Sequence, residues 1–238
     1  MTGIGSGEIL KYDLEEAASV VKEENNRVSN ILGINPAART NTVKPSGTSS
    51  CVLGSSSGIH AWHNDYYIRR IRLGKNEALY GYLNEYHPEL VEDEYFRPSE
   101  MAVIEIPQKA PDTSILRTES PTSLLERVRK FNIEWVRAGH LKGQNAHNVS
   151  CTISVKDDEW ELVGEWMWKN RNNFNGISVL PYDGGTYVQA PFEDITKERY
   201  EMLEKSLSNI DLTLVEETDD MTDLAGELAC AGGACEVV

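Results

Sequence analysis

Residues 35–60 read NPAARTNTVKPSGTSSCVLGSSSGIH, and the middle of that stretch, Lys44-Pro45-Ser46-Gly47-Thr48-Ser49-Ser50, decides how the rest of the chain is interpreted. Glycine lets a backbone approach a ligand closely. Small hydroxyl side chains add donors and acceptors beside the backbone amides. A short helix opening at Thr48 would also turn its free N–H groups and positive dipole end toward the same guest. The guest that suits this chemistry is a phosphate, so Ser46, Gly47, Thr48, Ser49 and Ser50 are the candidate phosphate-binding residues. A plain Gly/Ser loop is the other interpretation of the same residues. The stretch is neither a Walker A loop, since no Gly-Lys-Ser/Thr closes it, nor a GxGxxG fingerprint. Just before it, the β-branched pair Thr42 and Val43 predicts a short buried strand. A strand that delivers a glycine-rich loop at its C-terminal end is where α/β sheets bind ligands. Cys51, just after the loop, reads as a small core residue rather than a nucleophile.

On the N-terminal side, residues 8–30 place Leu10, Leu14, Ala17, Ala18, Val21 and Val28 near a 3.6 period, which predicts a helix covering a core. Asp13 suits its dipole, and Gly33 and Pro36 end it. Residues 1–7 are glycine-rich and are expected to be loose. On the C-terminal side, His60 and His63 stand three apart without a third histidine or a cysteine nearby, so no metal site is assigned to them. YYIRRIRL, residues 66–73, reads as a strand whose Arg70 and Arg72 face solvent or salt-bridge partners.

Farther along, residues 76–97 read as a helix followed by a charged loop, and 102–107 as a short strand ended by Pro107. Ser120-Pro121 opens a helix with the apolar face Leu124, Leu125, Val128, Phe131, Ile133, Trp135 and Val136, which Gly139 stops. A strand follows at 148–155, with Cys151 in the core. Asp157 or Asp158 then caps a helix whose Trp160, Val163, Trp166 and Met167 make a core stripe. A strand at 177–180, a helix from Thr196 to about Ser208 and a last strand at 211–215 complete the folded part. Helices alternating with strands predict an α/β architecture built from βα units.

The totals bound the function. The chain has 238 residues, 40% of them hydrophobic and 26% charged, an ordinary globular composition. A formal net charge of −15 argues against an exposed surface for duplex DNA or RNA, which needs a basic face. No apolar run approaches the roughly 20 residues that span a bilayer. The N-terminus lacks the pattern of a signal peptide. Four widely spaced cysteines do not form a secreted disulfide framework, so the cytoplasm is the expected compartment.

After Lys205 there is no Lys or Arg, and residues 216–228 hold six acidic residues and few apolar ones. That composition predicts a mobile linker. It ends in Cys230-Ala231-Gly232-Gly233-Ala234-Cys235. The small intervening residues allow the two thiols to close into a disulfide, so Cys230 and Cys235 are the candidate redox pair. The bland alternative is a disordered tail with incidental thiols.

NPAAR, TVKPSGTSS and GSSSGIH, then Tyr66-Tyr67-Ile68-Arg69-Arg70, then LPYDGGTY at 180–187 with Ala190-Pro191, and finally the paired-cysteine tail together resemble the C-terminal portion of adenosylcobalamin-dependent (class II) ribonucleoside-triphosphate reductases. The resemblance runs from about Ile31 to the end. It implies the last part of a ten-stranded α/β barrel over residues 31–215, preceded by a helical segment, 1–30, and followed by a flexible redox tail, 216–238. It also implies radical conversion of ribonucleoside triphosphates to deoxyribonucleotides, with adenosylcobalamin as the cofactor of the complete enzyme. Ser46–Ser50 would hold the substrate's phosphates. The tail would carry electrons from a thioredoxin-like reductant to a buried dithiol by thiol–disulfide exchange.

None of the four cysteines matches the family's radical cysteine or its buried pair, which lie upstream of NPAAR. The chain therefore looks like a C-terminal piece. It is expected to be inactive alone and to need the N-terminal half of the reductase, as a separate chain or as a missing region. Alternatives are a class I (diphosphate) reductase fragment, whose phosphate loop is of a Pro-Thr-Ala-Ser type, a non-catalytic thiol-redox or interaction protein, and a sugar-phosphate enzyme of another α/β-barrel type.

Overall fold

A computed structural model of the chain describes residues 1–182, 184 and 187–217, the side chains of Thr48 and Cys51 excepted. In chain order the elements are α1 (Leu14–Leu32), α2 (Thr48–Val52), β1 (Tyr66–Gly74), α3 (Ala78–Tyr86), β2 (Val91–Asp93), β3 (Met101–Lys109), α4 (Pro121–Phe131), β4 (Thr152–Val155), α5 (Trp160–Lys169), β5 (Ser178–Pro181), β6 (Phe192–Asp194) and α6 (Lys197–Leu207). They fall into two compact units. The first comprises Met1–Trp62 and Asp112–Tyr182; the second comprises His63–Pro111 and the described residues beyond 183.

The first unit is the parallel one. Val43 bridges Val149 in parallel, and β4 runs parallel to β5 from Thr152↔Ser178 to Val155↔Pro181. Around these strands pack α1, α4 and α5. Leu125, Val128 and Phe131 of α4 share a buried core with Val43, Ile59, Ile153, Val155 and Val163. α4 and α6 start where the sequence says they should, whereas the helix expected from residue 8 begins as α1 only at Leu14, after the 3-10 turn Glu8–Lys11. Asp13 caps α1 by accepting from the Glu16 N–H at 3.0 Å, and Ser120 caps α4 by accepting from the Ser123 N–H at 3.2 Å. Gly33 stops α1 in the left-handed conformation, φ +68°. Beyond Phe131 the helix widens into a π-turn, Asn132–Arg137, and buried Asn132 donates to the Asn173 carbonyl at 2.8 Å.

Several sequence expectations fail in this unit. Neither Asp157 nor Asp158 caps α5; Glu159 stands at that position and makes no side-chain cap bond. In the expected stripe Val163 is buried, but Trp160 is 41% exposed. Residues 1–7 are not loose. Ile4 is fully buried, and the segment forms hydrogen bonds from Gly3 N–H to Ser56 O and from Ile4 N–H to Gly58 O. Its glycines serve close packing, a role that composition does not distinguish from flexibility.

The second unit departs from the βα pattern. Its sheet has the order β2-β3-β1-β6, antiparallel throughout, with β1 and β3 paired from Tyr66↔Lys109 to Gly74↔Met101. The connection from β1 to β3, through α3 and β2, therefore reverses the chain. β3 does not end at Pro107 but runs two residues further. β2 covers only Ala102 to Ile104, so at Pro107 the strand is an edge on that side and a missing N–H is tolerated. β2 lies inside the expected charged loop. The expected strand at 211–215 is a 3-10 turn, Leu212–Leu214.

Arg70 is salt-bridged, as expected, but buried. It pairs with Glu105 at 2.9 Å and Glu193 at 2.7 Å, and Glu105 also meets Arg199 at 3.3 Å. Arg72 lies 3.6 Å from Glu94.

Among the described residues no helix is long and apolar enough to cross a membrane.

Candidate functional site

The strand at Val43 is fully buried and points the chain directly into the serine-rich turn. Val43 N–H donates to Asn148 O, and Ser150 N–H donates to Val43 O, the two bonds of a parallel bridge. Ser46, Gly47, Ser49 and Ser50 therefore stand at the C-terminal end of the parallel strands. β5 leaves the sheet at the same end, through Pro181 and Tyr182, so the first residues of the LPYDGGTY motif emerge on the side of the loop.

The turn is held by its own hydroxyls and by the chain's first residues. Ser46 N–H donates to Ser57 Oγ at 3.2 Å, and the hydroxyls of Ser46 and Thr2 lie 2.7 Å apart. Thr2 Oγ1 also accepts from Gly58 N–H at 2.8 Å. Ser6 Oγ accepts from Ser56 N–H and from the Trp62 indole, both at 3.0 Å. Gly58 needs to be glycine: a Cβ there would meet the Pro45 nitrogen at 3.0 Å, and its φ is +59°. Gly47, φ +51°, faces open space. A ligand can approach its backbone, and the left-handed conformation disfavours a β-branched residue.

The five predicted residues do not play equal parts. Ser46 and Gly47 are partly exposed and Ser49 is exposed. Ser50 is buried, and its hydroxyl donates to Gly47 O at 2.7 Å, so it shapes the turn from inside. Thr48 opens α2 as expected, and its side chain lies outside the described atoms.

His60 is a residue whose role sequence reasoning missed. Its Nδ1–H donates to Ser57 O at 3.1 Å and its Nε2 accepts from Thr152 N–H at 3.0 Å. Both ring nitrogens are thus used in one neutral tautomer that ties the loop to the start of β4. Burial pushes its pKa below the usual 6.5. Arg127 braces the same corner, donating to Ile59 O at 3.3 Å while Glu119 holds its guanidinium. His63 Nε2 lies 3.1 Å from Asp194 Oδ1. Among the described residues no group of three or more His, Cys, Asp or Glu is assembled for a metal.

Cys151 is buried in the core beside β4, and burial pushes its thiol up to about 12, which leaves it inert as a nucleophile. Cys230 and Cys235 lie outside the described residues.

No family model matches the chain. Curated relatives match most of it. It is 31% identical over 214 residues to an adenosylcobalamin-dependent ribonucleoside-triphosphate reductase of Lactobacillus acidophilus, an overlap of 87% of this chain and 27% of that protein. The protein of the same description from Lactobacillus leichmannii is 31% identical over 223 residues, covering 92% of this chain and 29% of its own length. That from Euglena gracilis is 32% identical over 197 residues, 81% of this chain and 25% of its own. The chain thus spans less than a third of the length of these relatives. A crystal structure of a B12-dependent (class II) ribonucleotide reductase superposes with a TM-score of 0.72 at 24% identity, covering 88% of this chain and 33% of that one. That likeness establishes a shared fold, and the resemblance drawn from the motifs agrees with the curated relatives.

Proposed function

We infer that the chain is one portion, the C-terminal one, of an adenosylcobalamin-dependent ribonucleoside-triphosphate reductase, and that it contributes the loop that grips the substrate's phosphates and the dithiol tail that recharges the enzyme. The observation that carries this inference is identity of 31% spread over 87–92% of the chain, with the serine-rich turn standing at the ligand-binding end of parallel strands. The parallel arc of Val43, β4 and β5 is read as the closing part of a ten-stranded barrel whose other strands come from the remainder of the enzyme.

In this reading the substrate is a ribonucleoside triphosphate. Ser46, Gly47, Thr48 and Ser49 meet its phosphates, and Ser50 supports the turn from within. Loss of the ribose 2′-hydroxyl as water consumes two electrons and two protons. A buried dithiol in the rest of the enzyme supplies them and becomes a disulfide. Cys230 and Cys235 then reduce that disulfide by exchange, taking the oxidised state onto themselves, and a thioredoxin-like reductant restores them. Adenosylcobalamin supplies the radical chemistry of the complete enzyme. The cavities lined by Leu10 and Ile133 and by Arg137 and Asn175, about 450 and 360 Å3, are small for a corrin. A soluble cytoplasmic setting agrees with a pathway feeding DNA synthesis.

The test uses the complete enzyme. Cys230→Ser or Cys235→Ser leaves the first turnover nearly intact and abolishes later ones with a thioredoxin system, while a small dithiol restores part of the rate. If single-turnover product falls as far as steady-state product, the tail acts in the chemical step and the shuttle is wrong. Gly47→Val raises KM, but its positive φ also adds backbone strain. Gly47→Asn, which tolerates that conformation, isolates the effect of a side chain on nucleotide affinity. Unchanged affinity in both variants removes the loop from the substrate site.

A further inference from the structure

We propose that the parallel unit carries a second anion site, a phosphate-binding pocket at the end of its strands opposite the Ser46–Ser50 turn. The pocket has a volume of about 360 Å3 and is lined by Arg137, His140, Gln144, Ala146 and Asn175. Its place follows from the topology. Residues 137–146 belong to the connection that enters the strand at Val149, and Asn175 stands just before β5. Arg39, which precedes Val43, bridges His140 in antiparallel fashion. All these residues therefore lie at the N-terminal end of strands that run in one direction, whereas the serine-rich turn lies at the C-terminal end.

The charge distribution singles out this part of the molecule. The chain carries a formal net charge of −15, yet residues 25–64, 135–156 and 166–182 contain eight Lys or Arg and no Asp or Glu. The fold brings these three stretches together, through Arg39↔His140, Val43↔Val149 and β4↔β5. Acidic side chains on the same stretches are therefore not what balances Arg39, Arg137 and Lys142 at this end.

The lining is also held in place. Arg137 Nη2 donates to Asn172 O, which anchors its guanidinium in the lining, and Arg39, beside the pocket, donates from Nε to Asn145 O. His140 Nε2–H donates to Gly143 O at 2.7 Å, and Asn175 Nδ2 donates to His147 O at 2.6 Å. A guanidinium fork matches two phosphate oxygens at once, and Gln144 adds an amide donor. The volume is at the small end for ligand sites, which suits a phosphate group with little attached. Free phosphate and the phosphate of a nucleotide share this chemistry.

Isothermal titration of the 238-residue chain with inorganic phosphate, tripolyphosphate and ATP, at constant ionic strength, tests the site. Saturable binding is expected that weakens about tenfold in Arg137→Gln, roughly one charged hydrogen bond. It weakens less in Arg137→Lys, which keeps the charge and loses the fork. Lys11→Gln, which removes an exposed cation outside the pocket, leaves this binding unchanged. The ratio of ATP to phosphate affinity identifies the source: equal affinities mean free phosphate, and a clear preference for ATP means a nucleotide. Should Arg137→Gln not fold by circular dichroism, Arg39→Gln and Gln144→Ala replace it. No saturation at millimolar anion, or wild-type affinity in every pocket variant, would overturn the proposal. The substrate loop is tested separately, by nucleotide affinity of the Gly47 variants in the complete enzyme, so failure here leaves that loop standing, and the reverse.

Discussion

A methyl group on Gly5 would lie 2.0 Å from the carbonyl oxygen of His60, which is backbone and cannot swing away. Gly5→Ala should therefore push the first residues off the turn they brace. A loss of about 1–3 kcal/mol in unfolding free energy is expected, the usual cost of overpacking, read as a lower denaturant midpoint at constant slope. An unchanged midpoint would mean that segment 1–7 is not seated on the turn. His60 gives a pH signature. Burial lowers its folded pKa below the 6.5 of the free side chain, so the unfolded chain takes up a proton first as pH falls. Its contribution is complete above about pH 6.5 and is lost as pH drops through the folded value. His60→Gln should flatten the loss of stability between pH 7 and 5, and equal slopes for both proteins would refute the neutral-tautomer assignment. Neither role was legible beforehand. A glycine chosen for close approach looks the same in sequence as one chosen for flexibility, and the partners of His60 lie 3 and 92 residues away.

At the scale of elements, local signals were read better than distant ones, although the cap expected at Asp157 or Asp158 is absent. Ser120 and Thr196 cap their helices as expected because a cap needs only the next three residues, and Asp13, expected only to suit the dipole, proves to be a cap as well. Whether YYIRRIRL would lie in a parallel or an antiparallel sheet depended on Met101–Lys109, which no periodicity specifies. Pro107 seemed to end a strand because the shortness of β2, the reason it is tolerated, was not visible. β5 pairs with β4 on one side, and among the described residues nothing pairs with its other side. Its Leu180 is 47% exposed. Such an edge templates association. The isolated chain should therefore self-associate in sedimentation experiments, and Leu180→Lys, which places a charge on the edge, should shift it toward monomer. Association insensitive to Leu180→Lys would locate the sticky surface elsewhere.

At the scale of the molecule, the antiparallel unit interrupts the parallel one. Residues 63–111 leave the first unit after Trp62 and re-enter it at Asp112. At that crossing Trp62 N–H donates to Ile115 O at 2.8 Å and Arg117 N–H donates to Trp62 O at 2.9 Å, so the two ends are tied together within the first unit. Replacing 63–111 by a short Gly/Ser linker and ending the chain after Tyr182 should leave a protein that unfolds cooperatively with the α4–β4 core intact. A product with helical circular dichroism but no cooperative transition would show that the first unit cannot close alone. The motifs announced the relatives of this chain, but the interruption was hidden because both units are built from similar runs of helix and strand.

The interruption also sets an order of events during synthesis. Thr42 and Asn148, 106 residues apart, share a hydrogen bond beside the strand that carries the serine-rich turn. The ribosome makes the turn before the insert, yet the strand that frames it arrives only after the whole insert has been translated. Long-range closures of this kind are slow and leave apolar segments uncovered while they wait. The serine-rich turn thus exists well before the partner that fixes its shape.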